Sequence, residues 1–476
     1  MLTSRGQGGR LVVLAVVVLT TLHLYYLYKK LFSFTRNMSV QKCRLGQNAF
    51  LKNAHKIKHT AACVHACMYE RSGLITLDSL VILQRVDVPA SSDQIDRCYG
   101  GGKDKVKDCR NFIRMIAQES NNSLLICSTG AFRPTCSIRN MENFNLIGKI
   151  EDGIGYAPYD PNYSLAYVIT ENRQVIVGVS LNFVGTDEAI VRIRPANKQL
   201  RTMKNDKFTL NGIEPHFVAA FEIGPFVYFF FHEIAIEHFS HRQIRYSRVA
   251  RLCKNDTGAS KGIYAQAWTS FLKSRLICQE MDKVIYDIVQ DVQFLPSEKI
   301  FYAIFTSSEV QLPGSAVCVY SLESLESVFR GPFLSKHVQP PYLWRDIPNP
   351  QPNYMCEQRL TDFLEMPKLM YNVILPISST LLEQSSNESY THLSVDTVRV
   401  KNDLLVTVLF VLEVGGILKK FVHMNDQLCL IEVVELTPPG KPLLVNEMKL
   451  GMLYLSMEER LMRVPVQRCS NYKSRE

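Results

Sequence analysis

Four consecutive aromatic residues, Tyr228–Phe231, are the feature of this sequence that most constrains its fold. They belong to an apolar run that ends at His232 and Glu233. Because successive residues of a β-strand point to opposite faces, this run places aromatic side chains on both faces. Such a strand is stable only where neighbouring layers cover both faces. The sequence therefore predicts stacked β-sheets.

Short β-like runs separated by turn residues continue along most of the chain after residue 70, and this pattern is typical of an all-β protein. Clear examples are residues 123–127, 165–170, 175–180, 299–305, 404–412 and 451–456. Helical periodicity is confined to two short segments, Asn111–Gln118 and Ser321–Phe329. A long series of short strands without a linker favours a β-propeller, in which four-stranded blades close into a ring.

The composition is that of one large globular unit. The chain has 476 residues, of which 46% are hydrophobic, and no Pro/Gly/Ser-rich linker or charged block divides it. Its formal net charge of +9 arises from 54 basic and 45 acidic residues, and no basic run is interleaved with aromatic residues. A nucleic-acid partner is therefore disfavoured.

Residues 11–28 form an apolar stretch with basic residues on both sides. Its length is close to the roughly 20 residues that span a bilayer, and it lacks a clear small-residue cleavage site. Two alternatives stay open for residues 1–31, a cleaved signal peptide and an uncleaved signal anchor. Both direct the chain into the secretory pathway, so we expect an extracellular protein, either secreted or anchored through residues 11–28.

Cysteines and glycosylation sequons agree with that compartment. The chain has 13 cysteines, and many of them lie in close pairs, which behind a targeting segment predicts disulfide bonds. The Asn-x-Ser/Thr sequons predict N-glycosylation at exposed loops. They are Asn37, Asn121, Asn162, Asn255 and Asn387.

One segment has the spacing of a metal site. Its residues, at four-residue steps, are His55, His59, Cys63 and Cys67. On a helix they would line one face. Closed zinc sites usually pair their ligands across a turn, however, and extracellular cysteines tend to oxidise. No metal or other cofactor is therefore predicted.

Patterns that suggest catalysis do not assemble into a site. Ser260 lies in a Gly-x-Ser-x-Gly match, but a polar turn precedes it, whereas a nucleophile elbow follows a buried strand. Gly100–Lys103 lacks the spacing of a phosphate loop and predicts a turn between two cysteines. His232 and Glu233 are neighbours in a strand and point to opposite faces. The sequence predicts a binding protein rather than an enzyme.

An ordered series of motifs resembles the semaphorin family over about residues 75–470. The motifs are residues 98–113, Cys127–Cys136, Pro158–Pro161, Phe183–Asp187, Glu214–Phe217, Val227–Cys278 and Gly314–Cys318. The resemblance implies a seven-bladed β-propeller, the sema domain, over residues 45–465. A partly helical extrusion in blade five would include Ser321–Phe329. Residues 466–476 would begin a plexin-semaphorin-integrin module.

The same resemblance implies a disulfide pairing. The implied bonds are Cys98–Cys109, Cys127–Cys136, Cys253–Cys356 and Cys278–Cys318. It assigns no partner to Cys43, Cys63, Cys67, Cys429 or Cys469. The family's opening strand, which pairs with the last blade to close the ring, is not legible before residue 75, and most of the family's C-terminal module does not follow Cys469.

By resemblance, the chain is expected to be an extracellular guidance ligand that binds plexin receptors through its propeller. Semaphorins usually act as homodimers and control axon guidance, cell migration and cell–cell contact. Segment 152–161 is expected to form part of the receptor contact, because aromatic residues anchor interfaces. The residues concerned are Tyr156, Pro158, Tyr159, Asp160 and Pro161. The alternative is a rigid turn whose tyrosine packs on the next blade.

Two other functions remain open at this point. The first is a truncated monomeric decoy that binds plexin without activating it. The second is a secretory-pathway enzyme on a propeller scaffold, which would require polar groups that converge in a central pocket.

Overall fold

The computed structural model describes the chain between residues 71 and 465. Outside the description are residues 1–70, 76–81, 121, 194–198, 205–209, 211, 239–242, 259–265, 281–283, 309–313, 337–343, 354–355, 357–366, 384–388, 400–404, 415, 425–426, 437–443, 450–451, 457–460 and 466–476. The predicted targeting segment, the opening strand and the His55–Cys67 set therefore lie outside the described residues.

The described residues are mostly β-strand, and two helices accompany the strands. The first strands are β1 (Arg71–Ile75), β2 (Ile82–Asp87), β3 (Ile113–Ser120), β4 (Ser123–Ser128), β5 (Thr135–Asn140), β6 (Leu146–Asp152), β7 (Ala166–Ile169), β8 (Val175–Ser180), β9 (Glu188–Arg192) and β10 (Leu200–Arg201). The next are β11 (His216–Ile223), β12 (Phe226–Ile234), β13 (Arg245–Cys253), β14 (Leu272–Arg275), β15 (Cys278–Glu280), β16 (Val284–Tyr286), β17 (Ile288–Leu295), β18 (Ile300–Thr306), β19 (Ser315–Ser321) and β20 (Phe333–Lys336). The last are β21 (Trp344–Ile347), β22 (Leu369–Met370), β23 (Ser378–Glu383), β24 (Tyr390–Arg399), β25 (Leu405–Glu413), β26 (Ile417–Met424), β27 (Gln427–Glu435), β28 (Leu444–Lys449), β29 (Met452–Ser456) and β30 (Leu461–Pro465). The helices are α1 (Ser92–Gly100) and α2 (Leu322–Arg330).

Most strands pair antiparallel with their sequence neighbours. Strands β3–β6, β7–β10 and β24–β27 form four-stranded sheets, and a fourth such sheet has the order β17-β18-β19-β23. Strands β11–β14 are extended by β22, β20 and β21, while β28–β30 form a three-stranded sheet. The described strands thus give four separate four-stranded blades, and not the seven that the resemblance implies.

Consecutive sheets share hydrophobic cores, which is the packing of a propeller. One core joins β3–β6 to β7–β10, and the next joins β7–β10 to β11–β14. Further cores join β11–β14 to the sheet of β17, that sheet to β24–β27, and β24–β27 to β29 and β30. The predicted stack of β-sheets in a propeller arrangement is therefore confirmed.

Strand β12 occupies the centre of this stack. Val227, Phe229 and Phe231 pack into the core shared with β7–β10. Tyr228 and Phe230 pack into the core shared with the sheet of β17. All of these side chains are fully buried. The prediction that both faces of this aromatic strand are covered is confirmed.

A long insertion separates β19 from its sheet neighbour β23. It contains α2 and the short strands β20–β22. Strand β22 pairs with β20 inside the insertion and with β14 outside it, and so attaches the insertion to β14. Helix α2 begins after the N-cap Ser321, whose hydroxyl accepts a hydrogen bond from the backbone N–H of Ser324. Its buried Leu325 and Phe329 pack into the core behind β12. The predicted helix at Ser321–Phe329 is therefore confirmed.

The other predicted helix, Asn111–Gln118, is wrong, because residues 113–120 form strand β3. Ile113, Ile116 and Ala117 have the spacing of a helical stripe, but this spacing arises because both faces of β3 are buried. Helix α1 was not predicted. Its signal is Ser91 and Gln94, which form a capping box.

The described cysteines form the four disulfide pairs implied by the resemblance. The bonds are Cys98–Cys109, Cys127–Cys136, Cys253–Cys356 and Cys278–Cys318. The bond between Cys253 and Cys356 spans 103 residues and attaches the insertion to the end of β13. Cys429 is also disulfide-bonded. Because the other described cysteines pair with one another, its partner lies outside the described residues.

Candidate binding site

Segment 152–161 connects β6 to β7 at one edge of the stacked sheets. We call this edge the upper rim, and define it as the edge at which β7, β9, β11 and β13 begin. The disulfide loop that follows α1 and the loop between β8 and β9 contact the segment there.

Close backbone contacts fix the start of the segment. The N–H of Gly153 donates to the carbonyl of Pro134 at 2.9 Å, and the carbonyl of Gly153 accepts from the N–H groups of Tyr156 and Ala157. A Cβ atom at position 153 would lie 2.7 Å from the backbone nitrogen of Thr135. Only glycine therefore allows the chain to approach β5 so closely.

The second half of the segment packs against two phenylalanines. Tyr159 meets Phe183 edge-on with ring centroids 6.3 Å apart, and Phe183 lies 5.2 Å from Phe132. The ammonium of Lys103 lies 4.4 Å above the Phe132 ring and 3.4 Å from a carboxylate oxygen of Asp160. We call Lys103, Phe132, Tyr159, Asp160 and Phe183 the Lys103 cluster. It joins segment 152–161 to the loop closed by Cys98–Cys109.

The receptor-contact residues predicted from the sequence are packed rather than free. Pro158 is buried, and Tyr156, Tyr159, Asp160 and Pro161 are half-buried. Burial raises the pKa of both tyrosine hydroxyls, and the nearby carboxylates of Glu151 and Asp152 act in the same direction on Tyr156 and Tyr159 respectively. This packing has the character of the rigid-turn alternative. Receptor contact through these residues stays a prediction.

The residues that support this segment were not predicted from the sequence. Lys103 follows three glycines, and Phe183 opens the Phe183–Asp187 motif. Neither residue was predicted to support segment 152–161. Their contacts join chain positions as far apart as 103 and 183, and no local pattern reports such a contact. Exposed apolar side chains accompany the cluster at Tyr99, Val106 and Val184, of which Val184 is 69% exposed.

His232 and Glu233 do not converge on one site, as predicted. Glu233 is fully buried and accepts hydrogen bonds from Arg248 Nε at 2.8 Å and from Lys273 Nζ at 2.7 Å. Arg248 also donates to Glu237 at 2.5 Å. Burial lowers the pKa of Lys273, against the attraction of Glu233. His232 instead stacks on His216, with ring centroids 4.9 Å apart.

Other predicted sites are partly outside the description. Asn162 and Asn255 lie in exposed turns, whereas Asn37, Asn121 and Asn387 are outside the described residues, as is Ser260. The described part of the chain contains no cluster of three or more His, Cys, Asp or Glu residues arranged for a metal ion. Neither described helix has the length and apolar character that crossing a bilayer requires.

Comparison with known proteins identifies the family. Residues 286–450 match the family model described as Sema domain. The chain is 31% identical to Semaphorin-5A of Rattus norvegicus over 84% of this chain and 38% of that protein. It is 34% identical to Semaphorin 5c of Drosophila melanogaster over 82% of this chain and 37% of that protein. The chain belongs to the semaphorin family.

The likeness extends to three-dimensional structure. A chain in the structure of Drosophila Plexin A in complex with Semaphorin 1b has a TM-score of 0.74 and 25% identity, covering 87% of this chain and 86% of that one. The present semaphorin spans less than two-fifths of the length of the two curated relatives named above.

Proposed function

We propose that this semaphorin is an extracellular signalling ligand that binds a plexin receptor through its propeller. The observation that carries the proposal is its structural likeness to a chain from a complex of Plexin A with Semaphorin 1b. Axon guidance, cell migration and cell–cell contact are the processes it would control. The ligand would act by binding alone, without a catalytic step.

We further propose that the complete ring has seven blades within residues 45–465. The four separate four-stranded sheets would be joined by β11–β14, by β28–β30 and by a blade that includes β1 and β2. The insertion between β19 and β23 would be the partly helical extrusion of blade five. Residues 1–31 would act as a signal peptide or signal anchor, and residues 466–476 would begin the cysteine-rich module.

The upper rim is the surface proposed to meet the receptor. Its contact residues would include the half-buried Tyr156, Tyr159, Asp160 and Pro161, with Pro158 holding the turn. The rigid backbone supports this proposal, because an interface that is already ordered loses little conformational entropy on binding. Exposed Val184 beside Phe183 adds apolar area at the same rim.

Secretion and glycosylation complete the proposal. The four disulfides among the described residues favour an oxidising compartment. The protein would be either secreted or anchored through residues 11–28. Asn162 and Asn255 are accessible glycan acceptors in exposed turns. Asn37, Asn121 and Asn387 are the other proposed acceptors.

Surface plasmon resonance against plexin ectodomains tests this function, with light scattering of the same sample to give its mass. We expect saturable binding by a homodimer, since two bound receptors are then brought together. Binding by a monomer would indicate the decoy function instead. A folded, disulfide-bonded sample that binds no plexin would contradict the receptor assignment.

A further inference from the structure

A polar cavity opens at the upper rim between sheets β7–β10 and β11–β14. Its volume is about 310 Å³, at the lower end of the ~300–1,000 Å³ range typical of small-ligand pockets. Glu188, Glu214, His216, His232 and Arg245 line it, together with backbone and small polar side chains of the loop before β7. The Lys103 cluster does not contribute to its lining.

Glu188 is the charged group in this cavity that has no partner of opposite charge among the described residues. Glu214, in contrast, is paired with Arg245. Burial raises the pKa of Glu188 to about 7, and the carboxylates of Glu214 and Asp187 add to the effect, against a hydrogen bond from its own backbone N–H. A half-buried carboxylate without an ion pair is stabilised by a cation.

His232 and His216 also line the cavity. The Nδ1 atom of His232 is buried and forms no hydrogen bond with the described residues. Burial lowers the pKa of His232 to about 3, and the neighbouring His216 and Arg245 also lower it. Burial, Arg245 and Arg114 lower the pKa of His216 as well. Both imidazoles are therefore neutral at neutral pH, and each has one nitrogen able to accept a hydrogen bond.

We propose that this cavity binds a guanidinium or ammonium group, with Glu188 as its counter-ion. These cations only donate hydrogen bonds, and a carboxylate only accepts them, so one such group satisfies the Glu188 carboxylate. The group is either a basic side chain of a protein partner or a free amine. The site does not depend on the plexin assignment.

Isothermal titration of the purified full chain with Nα-acetyl-arginine amide tests the site. The matched probe is Nα-acetyl-citrulline amide, which has nearly the same shape but no charge. We expect the arginine probe to bind at pH 8 and the citrulline probe to bind at least about tenfold more weakly, since charge-assisted hydrogen bonds are stronger than neutral ones. Equal affinity of the two probes, or no binding of either at millimolar concentration, would overturn the proposal.

Variants and pH locate the binding at Glu188. Glu188→Gln is expected to weaken the arginine probe about tenfold, whereas the exposed control Glu142→Gln has no effect. Wild-type affinity should fall from pH 8 to pH 5.5 as Glu188 is protonated, and the Gln variant should lose that dependence. A Glu188→Gln variant with wild-type affinity would contradict the site, and the citrulline comparison decides the matter if that variant does not fold.

Competition identifies the source of the cation. Displacement of the arginine probe by a plexin ectodomain would assign the cavity to a basic side chain of that partner. Displacement by spermidine but not by plexin would assign it to a free amine. Both outcomes support the site, whereas failure of every cation to displace the probe would overturn it.

Discussion

Strands β11 and β12 contribute to an apolar core, and the next residue pair along the same two strands lines part of a polar cavity. Phe217 opposes Phe231 in the β11–β12 ladder, and the next pair is His216 with His232. The phenylalanines belong to the core shared with β7–β10, whereas the histidines line the cavity at the upper rim. Phe217 and Phe231 are buried, whereas His216 is exposed and His232 is half-buried, so the two pairs differ in their contact with solvent. The core needs no partner, while the cavity contains groups that do.

The largest expected effect would come from the core. Phe229→Ala should destabilise the fold by about 3–5 kcal/mol, because the side chain is fully buried and packs against Phe217. Chemical denaturation measures this loss. The control is Val184→Ala at the upper rim, which should change stability by less than about 0.5 kcal/mol. Similar losses for both variants would remove the distinction between core and rim.

A comparable effect is expected at the buried ion network. Glu233→Gln removes the charge that faces Arg248 and Lys273, and uncompensated buried charges cost about 3–5 kcal/mol. Thermal and chemical unfolding of the variant would measure this cost, with Glu142→Gln as the exposed control. A loss below about 1 kcal/mol would mean that water reaches the network, as it does at the rim.

Asp291 predicts a pH-dependent effect of intermediate size. It is half-buried on β17 and accepts hydrogen bonds from the N–H groups of Leu393 and Val292. The bond from Leu393, on β24, ties two blades together. Burial raises its pKa to about 7, against those two hydrogen bonds. Because the folded pKa exceeds the unfolded value, this group stabilises the fold most at acidic pH and loses that stabilisation as pH rises through 7.

Unfolding measured between pH 5 and pH 8 checks this sign. Relative to wild type, Asp291→Asn should gain roughly 1–3 kcal/mol of stability at pH 8 compared with pH 5, since it cannot ionise. The difference between the two curves isolates Asp291 from the other titrating groups. Parallel curves would show that the carboxyl is ionised throughout, as a hydrated rim carboxylate would be.

The smallest expected effect concerns the Lys103 cluster. Lys103→Met removes the cation above Phe132 and the ion pair with Asp160, which together contribute about 1 kcal/mol or less at a partly exposed site. Denaturation curves measure the change. Lys105→Met, which removes an exposed pair with Asp96, serves as the control. A loss above about 2 kcal/mol would place the cluster with the core instead of the rim.

The sequence predicts the core much better than the rim. The run Tyr228–Phe231 predicts a strand that is covered on both faces, because its apolar pattern is local and unbroken. Asn111–Gln118 shows the limit of that approach, since a strand buried on both faces imitates helical spacing. The number of blades cannot be counted from the sequence, because the sequences of the blades have diverged too far to show a repeat.

The cavity was beyond prediction for a different reason. Glu188 and His232 lie 44 positions apart in sequence and meet only because two sheets stack. In the sequence, only the adjacent Glu233 suggested a partner for His232. Segment 152–161 was found through its resemblance to a family motif, but the residues that hold it, Lys103 and Phe183, were not.

A glycan placed at the upper rim tests the receptor-binding proposal most directly. Val184→Asn creates the sequon Asn-Gly-Thr at an exposed position, and Ile377→Asn creates Asn-Ser-Ser at another exposed position, near the opposite ends of the strands. Surface plasmon resonance would compare both glycosylated proteins with wild type on a plexin ectodomain, after mass spectrometry confirms glycan occupancy. We predict that the Val184→Asn protein loses binding while the Ile377→Asn protein retains it. Wild-type affinity of a fully glycosylated Val184→Asn protein would contradict receptor binding through the upper rim.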